Sequence, residues 1–238
     1  MNLIERIIFA LLVGAITYGI ISLFYLKRNP QIVKPIPEES RIEILKKYSE
    51  YDTDVESKKY PATFVLNNKI PDILLKYDYL KYSGRPRANE DDTVFSMLDF
   101  VCDHFMHDGN ICLPRNLSMV GIIEGSEKIG LKTNCRGLSL ILAELLRMNG
   151  IKARHVTCKP YEEPFSDCHV VVDCIMPSGT RIMLDPTYRL YFTDDNGQYV
   201  SIAQFREGII QGVDFHPNSK ASRNGGEFFY DNYKEYMI

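Results

Sequence analysis

The sequence predicts an α+β fold, because its helical patterns come first and its strand patterns follow. Apolar residues recur at helical spacing from Val94 to Phe105 and again after Cys135, whereas short β-like runs separated by turn signals occupy about 152–184. Of the 238 residues, 45% are hydrophobic and 25% are charged, which is the composition of a folded protein. The net charge of −3 gives no general attraction to nucleic acid.

The first predicted element is a membrane anchor at residues 1–28. The run Ile7–Leu26 is almost entirely apolar and carries no charge, and about 20 such residues span a bilayer core. Tyr25, Lys27 and Arg28 at its end suit the membrane interface. The alternative is a cleaved signal peptide, but its apolar region would be unusually long and no small-residue cleavage site precedes Lys27. We therefore expect a single-pass membrane protein.

The sequence leaves open which side of the membrane the domain occupies. Basic residues after the apolar run outnumber those before it, which favours a cytoplasmic domain. An anchored hydrolase of bacterial type would more often face outward. The six cysteines show no disulfide framework in their spacing, which favours free thiols without settling the compartment.

Beyond the anchor we expect a tether and one folded domain. Residues 29–39 contain three prolines and are predicted to be an extended tether, and the domain is expected at 40–238. A capping box, Ser40-Arg-Ile-Glu43, starts its first helix. The predicted helices are Ser40 to about Tyr51, Val94–Phe105, about 118–124, Cys135–Asn149 and Ser201–Ile210.

A meander of strands follows the helix that starts at Cys135. The predicted strands are Lys152–Cys158, Cys168–Met176 and Thr180–Leu184. Pro177-Ser-Gly179 joins the last two as a tight hairpin, and Asp194-Asp-Asn-Gly197 predicts a further turn. The tail after Pro217 is polar and then aromatic, and the sequence does not place it on the domain.

Three residues on these elements carry the chemistry. Cys135 opens a helix, His169 lies in a strand, and Asp185 ends the neighbouring strand. A thiol at a helix start, an imidazole and a carboxylate are suited to be a nucleophile, a base and its orienting group. This combination is typical of acyl transfer. The backbone N–H of Cys135 is a natural donor to the oxyanion that forms, and the sequence identifies no second donor.

Further residues extend this pattern. Asn134 precedes the thiol, Gly150-Ile-Lys-Ala-Arg154 enters a strand, and Asp185-Pro-Thr187 leaves one. With them, roughly 133–188 resembles the transglutaminase-like (papain-like) superfamily of cysteine enzymes. The resemblance implies a helix packed on an antiparallel sheet, a catalytic triad of Cys135, His169 and Asp185, no metal or other cofactor, and a protein or peptide substrate.

This sequence departs from the family pattern in four respects. Arg136 stands where a smaller residue is expected, Ser139 where alanine is frequent, and Val171 where an aromatic residue is usual, and the chain has no Trp. These departures concern the groove wall and the substrate class. They leave the three triad residues in place.

Three functions are compatible with these observations. The first is a membrane-anchored, cysteine-dependent acyl-transfer enzyme, for which hydrolysis of a peptide or amide bond is favoured over cross-linking. The second is a catalytically inactive binding or scaffold module, favoured by Arg136 and the missing aromatic residue. The third is a peptide:N-glycanase-like activity, disfavoured because no paired Cys-x-x-Cys motifs are present.

Other cysteines and histidines have simpler interpretations. Cys168 should point to the sheet face opposite His169 and belong to the core, with a redox role alongside Cys158 or Cys174 as the alternative. A second set of cysteines and histidines lies close together in the sequence, and its alternative role is a zinc site. The set consists of Cys102, His104, His107 and Cys112.

Overall fold

A computed structural model describes residues 3–28, 38–47, 69–84, 89–159 and 168–237. The helices in these ranges are α1 (Leu3–Arg28), α2 (Glu38–Lys47), α3 (Asp72–Leu75), α4 (Tyr79–Ser83), α5 (Asp92–His104), α6 (Met119–Glu127), α7 (Cys135–Met148), α8 (Ile202–Gln211) and α9 (Tyr230–Met237). The strands are β1 (Met106–His107), β2 (Lys132–Thr133), β3 (Lys152–Cys158), β4 (His169–Ile175), β5 (Arg181–Leu184), β6 (Phe192–Thr193) and β7 (His216–Pro217). The fold is a mixture of helices and antiparallel sheet, as predicted.

The chain divides into two compact units, Met1–Arg41 and Ile42–Ile238. In the first, α1 forms where the membrane anchor is predicted. Within the described ranges we find no helix with the length and apolar character that crossing a membrane requires. The transmembrane helix predicted at residues 1–28 is therefore not confirmed within the described residues.

The second unit is built on α7 and a three-stranded sheet. The strand order is β3-β4-β5 and both pairings are antiparallel. Helix α7 packs against β3 and β4 on one side and against α5 on another. Its apolar stripe is fully buried, and burying each such side chain stabilises the fold by roughly 1.5–3 kcal/mol. The stripe consists of Leu138, Ile141, Leu142, Leu145 and Leu146.

The two faces of the sheet enter different apolar clusters, because successive side chains of a strand alternate. Val172 and Leu184 belong to the cluster that includes the α7 stripe. Val171 and Met183 belong to a second cluster with residues of β6, α8 and α9. His169 and Asp185 share the alternation of Val171 and Met183, so the second cluster lies on their side of the sheet.

Most predicted elements are confirmed, with small changes at their ends. Strand β3 has the predicted limits, and β4 and β5 are each slightly shorter than predicted. Helix α5 ends at His104 because Phe105 is extended, with φ −118° and ψ 134°. Helix α2 starts at Glu38, so Ser40 lies inside it instead of capping it. The rest of that predicted helix, and the tether up to residue 37, lie outside the described residues.

The sequence patterns do not predict the parallel pair β1–β2. Each strand has two residues, with Met106 opposite Lys132 and His107 opposite Thr133. Strands this short show no periodicity. The pair matters because it ends two residues before Cys135.

Candidate active site

Cys135 is the first residue of α7, and the turn before it is rigidly built. The Asn134 side chain caps the helix by accepting a hydrogen bond from the Gly137 N–H at 3.0 Å, and its own amide donates to the Ile111 carbonyl at 3.0 Å. Residue 137 must be glycine, since a Cβ there would lie 2.0 Å from the Thr133 hydroxyl oxygen. The half-buried Cys135 thiol is thereby fixed at the positive end of the helix dipole.

His169 and Asp185 are in direct contact. The Nε2 atom of His169 lies 2.6 Å from Oδ2 of Asp185, and the two side chains are 5% and 0% exposed. The sheet register explains this contact. Val172 pairs with Leu184, so continuing by one residue places Asp185 opposite Val171, on the same face as His169 and two residues away. The predicted proximity of these two residues on adjacent antiparallel strands is therefore present.

Three hydrogen bonds hold the buried Asp185 carboxylate. Its Oδ2 accepts from His169 and, at 2.9 Å, from the hydroxyl of Tyr233. Its Oδ1 accepts from the backbone N–H of Thr187 at 2.9 Å. Burial, together with the adjacent carboxylate, raises the pKa of Tyr233 well above 10, so Tyr233 stays protonated and donates. The carboxylate therefore orients the imidazole through Nε2 and leaves Nδ1 for the thiol.

The electrostatics favour a thiolate beside an imidazolium. Burial opposes ionisation of Cys135, but hydrogen bonds with His107 and His169 and the charge of His169 lower its pKa to about 6. Burial also opposes protonation of His169, but the Asp185 carboxylate and the Cys135 sulfur raise its pKa to about 10. These opposite shifts favour a negative sulfur next to a positive ring.

The other cysteines behave differently. All six cysteines are free thiols. Burial raises the pKa of Cys102, Cys158 and Cys174 to about 12 in each case. A low thiol pKa marks reactive cysteines, and a high one marks inert cysteines, so we expect Cys135 to react faster than these three.

Aromatic rings from distant parts of the chain surround His169. Tyr188, Tyr233 and Tyr236 have ring centroids 6.0, 6.4 and 5.4 Å from that of the imidazole. Two of these residues lie on α9, so the aromatic tail that the sequence left unplaced covers the triad. His169 is therefore surrounded by aromatic rings although residue 171 is Val.

The departures from the family pattern have structural explanations. Arg136 is exposed. The Ser139 hydroxyl is buried and donates to the Val170 carbonyl at 2.8 Å, which ties α7 to β4 beside His169. Val171 is buried in the second cluster.

The two alternative cysteine clusters are not assembled as metal or disulfide sites. Within the described part of the chain, no group of three or more Cys, His, Asp or Glu side chains is placed to hold a metal ion. Cys102 donates to the Pro186 carbonyl at 3.3 Å, whereas His104 packs among Tyr77, Tyr82 and Phe100. The Cys168 carbonyl lies 3.8 Å from the Cys135 sulfur.

His107 and its partners are site residues that the sequence interpretation did not assign to this site, since it considered His107 only as an alternative zinc ligand. His107 forms a hydrogen bond with the Cys135 sulfur. Its Nδ1 lies 3.0 Å from a guanidinium nitrogen of Arg223, and Asn224 bonds to its backbone. The sequence contains one usable signal, a histidine just before a loop, but nothing local links it to residues more than a hundred positions away.

Comparison with known proteins gives distant similarities. No family model and no curated protein matches the chain. A structure from Cytophaga hutchinsonii, described as a candidate cysteine protease, is similar over 77% of this chain, with 18% identity and a TM-score of 0.39. A transglutaminase structure is similar over 92% of this chain, with 15% identity and a TM-score of 0.31.

The chain spans 60% of the first protein's length and 52% of the second's. The arrangement of Cys135, His169 and Asp185 is what bears on function.

Proposed function

We propose that this chain is a cysteine-dependent acyl-transfer enzyme with a transglutaminase-like core, in which Cys135 is the nucleophile, His169 the acid–base group and Asp185 the orienting group. The observation that carries the proposal is the 2.6 Å contact of the His169 imidazole with the fully buried Asp185 carboxylate, on a ring that also forms a hydrogen bond with the Cys135 sulfur. The opposite pKa shifts of Cys135 and His169 support it, because perturbed values of this kind cluster at functional sites.

The proposed reaction has two halves. The Cys135 thiolate attacks the carbonyl carbon of a peptide or amide, and a C–S bond forms while the carbonyl oxygen becomes an oxyanion. The His169 imidazolium gives its proton to the leaving nitrogen as the C–N bond breaks, which leaves a thioester on Cys135. Water then attacks the thioester while His169 takes one of its protons, and the C–S bond breaks. The carboxylic acid leaves, and the Cys135 thiolate beside the His169 imidazolium is regenerated. An amine in place of water would give cross-linking, and we favour hydrolysis because water is always present.

The alternative is an inactive binding module with the same fold. Two sequence observations favoured it, the bulky Arg136 and the missing aromatic residue at position 171. Arg136 is exposed, and tyrosines from α9 and Tyr188 stand around His169. Neither observation therefore favours the module once these positions are known.

An activated ester tests the proposal without knowledge of the natural substrate. We expect p-nitrophenyl acetate to release p-nitrophenolate in a burst and to leave an acetyl group on Cys135, detected by peptide mass spectrometry. Cys135→Ala should abolish the burst. Cys112→Ala, which removes an exposed thiol, should leave it unchanged. A burst that survives in Cys135→Ala would refute the proposal.

Membrane anchoring remains a prediction from the sequence, based on the uncharged run Ile7–Leu26. We expect the full-length protein to stay in the membrane pellet after alkaline carbonate washing, and a chain that starts near Ser40 to be recovered in solution. Release of the full-length protein into the wash would contradict the anchor.

A further inference from the structure

We infer that His107 is the second oxyanion donor, acting with the backbone N–H of Cys135. The inference rests on the proposed acyl transfer. It assigns to this histidine a part of the site for which the sequence offered no candidate. Three observations carry it. They are the position of the His107 backbone, the 3.0 Å contact of its Nδ1 with Arg223 and its hydrogen bond with the Cys135 sulfur.

The backbone of His107 is fixed by β2. His107 pairs with Thr133, two residues before Cys135. The neighbouring N–H groups complete the ladder, since Met106 donates to the Leu131 carbonyl at 2.9 Å and Asp108 to the Thr133 carbonyl at 2.8 Å. The strand that carries His107 is therefore attached to the segment that leads into the nucleophile.

The same backbone is held on its other side by Asn224. The His107 N–H donates to the Asn224 side-chain oxygen at 2.8 Å, and the Asn224 amide donates back to the His107 carbonyl at 2.9 Å. Asn224 adopts a left-handed conformation with φ 51°, which asparagine tolerates better than most residues. Bonds on both sides fix the backbone that carries the imidazole.

Arg223 determines which ring nitrogen of His107 carries the proton. A guanidinium can only donate, so the 3.0 Å contact makes Nδ1 of His107 an acceptor. The proton of the neutral ring must then be on Nε2, the nitrogen left for the contact with the Cys135 sulfur. A protonated Nε2 has no lone pair with which to take a proton from the thiol. His107 is therefore a donor to negative charge and not a second base.

The negative charge moves during acylation. It starts on sulfur and collects on the carbonyl oxygen of the group bonded to that sulfur. A fixed N–H directed at the thiolate is close to where the oxyanion forms, and fixed donors stabilise such charge without reorganisation. The Arg223 cation behind Nδ1 strengthens the Nε2–H as a donor.

Two probes distinguish stabilisation of the oxyanion from an effect of His107 on the Cys135 thiol itself. Iodoacetamide reacts with the Cys135 thiolate at a CH₂ carbon and forms no oxyanion, whereas p-nitrophenyl acetate forms one. Both rates are measured as plateau values above the thiol pKa, so a change in ionisation does not contribute. We expect His107→Ala to lower the acylation plateau about 10²–10³-fold and the alkylation plateau by no more than a few-fold.

Matched variants make the outcome decisive. His107→Gln keeps a donor and should recover most of the acylation rate. His216→Ala removes an exposed histidine bonded to Asp195 at 2.7 Å and should change neither rate. Equal losses for both probes in His107→Ala, or an acylation loss below about tenfold, would overturn the inference. A wild-type protein that accepts no acetyl group would instead refute the proposed function itself.

A double-variant cycle tests Arg223 as a positioning residue. The side-chain NH₂ of glutamine always carries its protons, whereas a neutral histidine carries one proton on either ring nitrogen. A glutamine at position 107 therefore needs no cation to keep a donor available. Arg223→Met should therefore lower acylation several-fold when residue 107 is histidine and much less in the His107→Gln background. Equal effects in the two backgrounds would contradict control of the tautomer.

Discussion

Replacing Asp185 by Ala should lower the free energy of unfolding by about 3–5 kcal/mol. The carboxylate is fully buried and accepts hydrogen bonds from His169, Tyr233 and the Thr187 backbone. Each buried donor left without a partner costs about 1–3 kcal/mol, and the imidazole reduces its own share by giving up its proton. Urea unfolding measures the loss, with one common slope of the unfolding free energy against urea concentration used for the wild type and the variant.

The chain contains a matched control for this experiment. Asp195 and His216 form a similar pair at 2.7 Å, but their side chains are 86% and 63% exposed. Asp195→Ala should cost less than about 1 kcal/mol, as expected for an exposed ion pair. An Asp185→Ala protein no less stable than Asp195→Ala would show that the buried carboxylate does not hold this part of the fold.

Replacing His169 by Ala should slow acyl transfer from p-nitrophenyl acetate at neutral pH by roughly 10²–10⁴-fold, which is the usual contribution of a positioned acid–base group. Two effects combine in this variant. The thiol loses the charge that lowers its pKa, and no group remains to take the proton from the water that attacks the thioester.

The His169→Ala variant also has a specific kinetic signature. Raising the pH should restore part of the acylation step, because hydroxide can ionise the thiol, but should not restore turnover to the same degree. The two steps are separated by following the burst and the steady-state release of p-nitrophenolate. Full recovery of both the burst and the steady-state rate at high pH would mean that His169 acts only by lowering the pKa of the Cys135 thiol.

Local pattern was sufficient to predict the central part of the fold. The stripe on α7 is long and regular, β3 to β5 are short runs separated by clear turn signals, and Pro177-Ser-Gly179 has the composition of a hairpin turn. These elements place Cys135 at a helix start, His169 on a strand and Asp185 directly after the neighbouring strand. The triad could be proposed from sequence because each member lies on one of these elements or next to it.

The surroundings of the triad could not be predicted in this way. His107 lies on a two-residue strand whose partner is about 26 positions later, and such a pair has no periodicity. Tyr233, Arg223 and Asn224 contact residues between 48 and 117 positions away. Which of many tyrosines or asparagines makes such a contact depends on how the tail packs, and the sequence around each of them looks like any polar or aromatic loop.

The central claim is that Cys135 is an activated nucleophile paired with His169. The most direct measurement is the iodoacetamide labelling rate of each cysteine against pH, followed by peptide mass spectrometry. Cys135 should label fastest, with a rate that rises with pH and levels off above about 6, whereas Cys102, Cys158 and Cys174 should stay slow across the neutral range. In His169→Ala the midpoint should move up toward the free thiol value of about 8.5. A Cys135 that labels no faster than these buried thiols, or whose midpoint is the same in His169→Ala, would contradict the account.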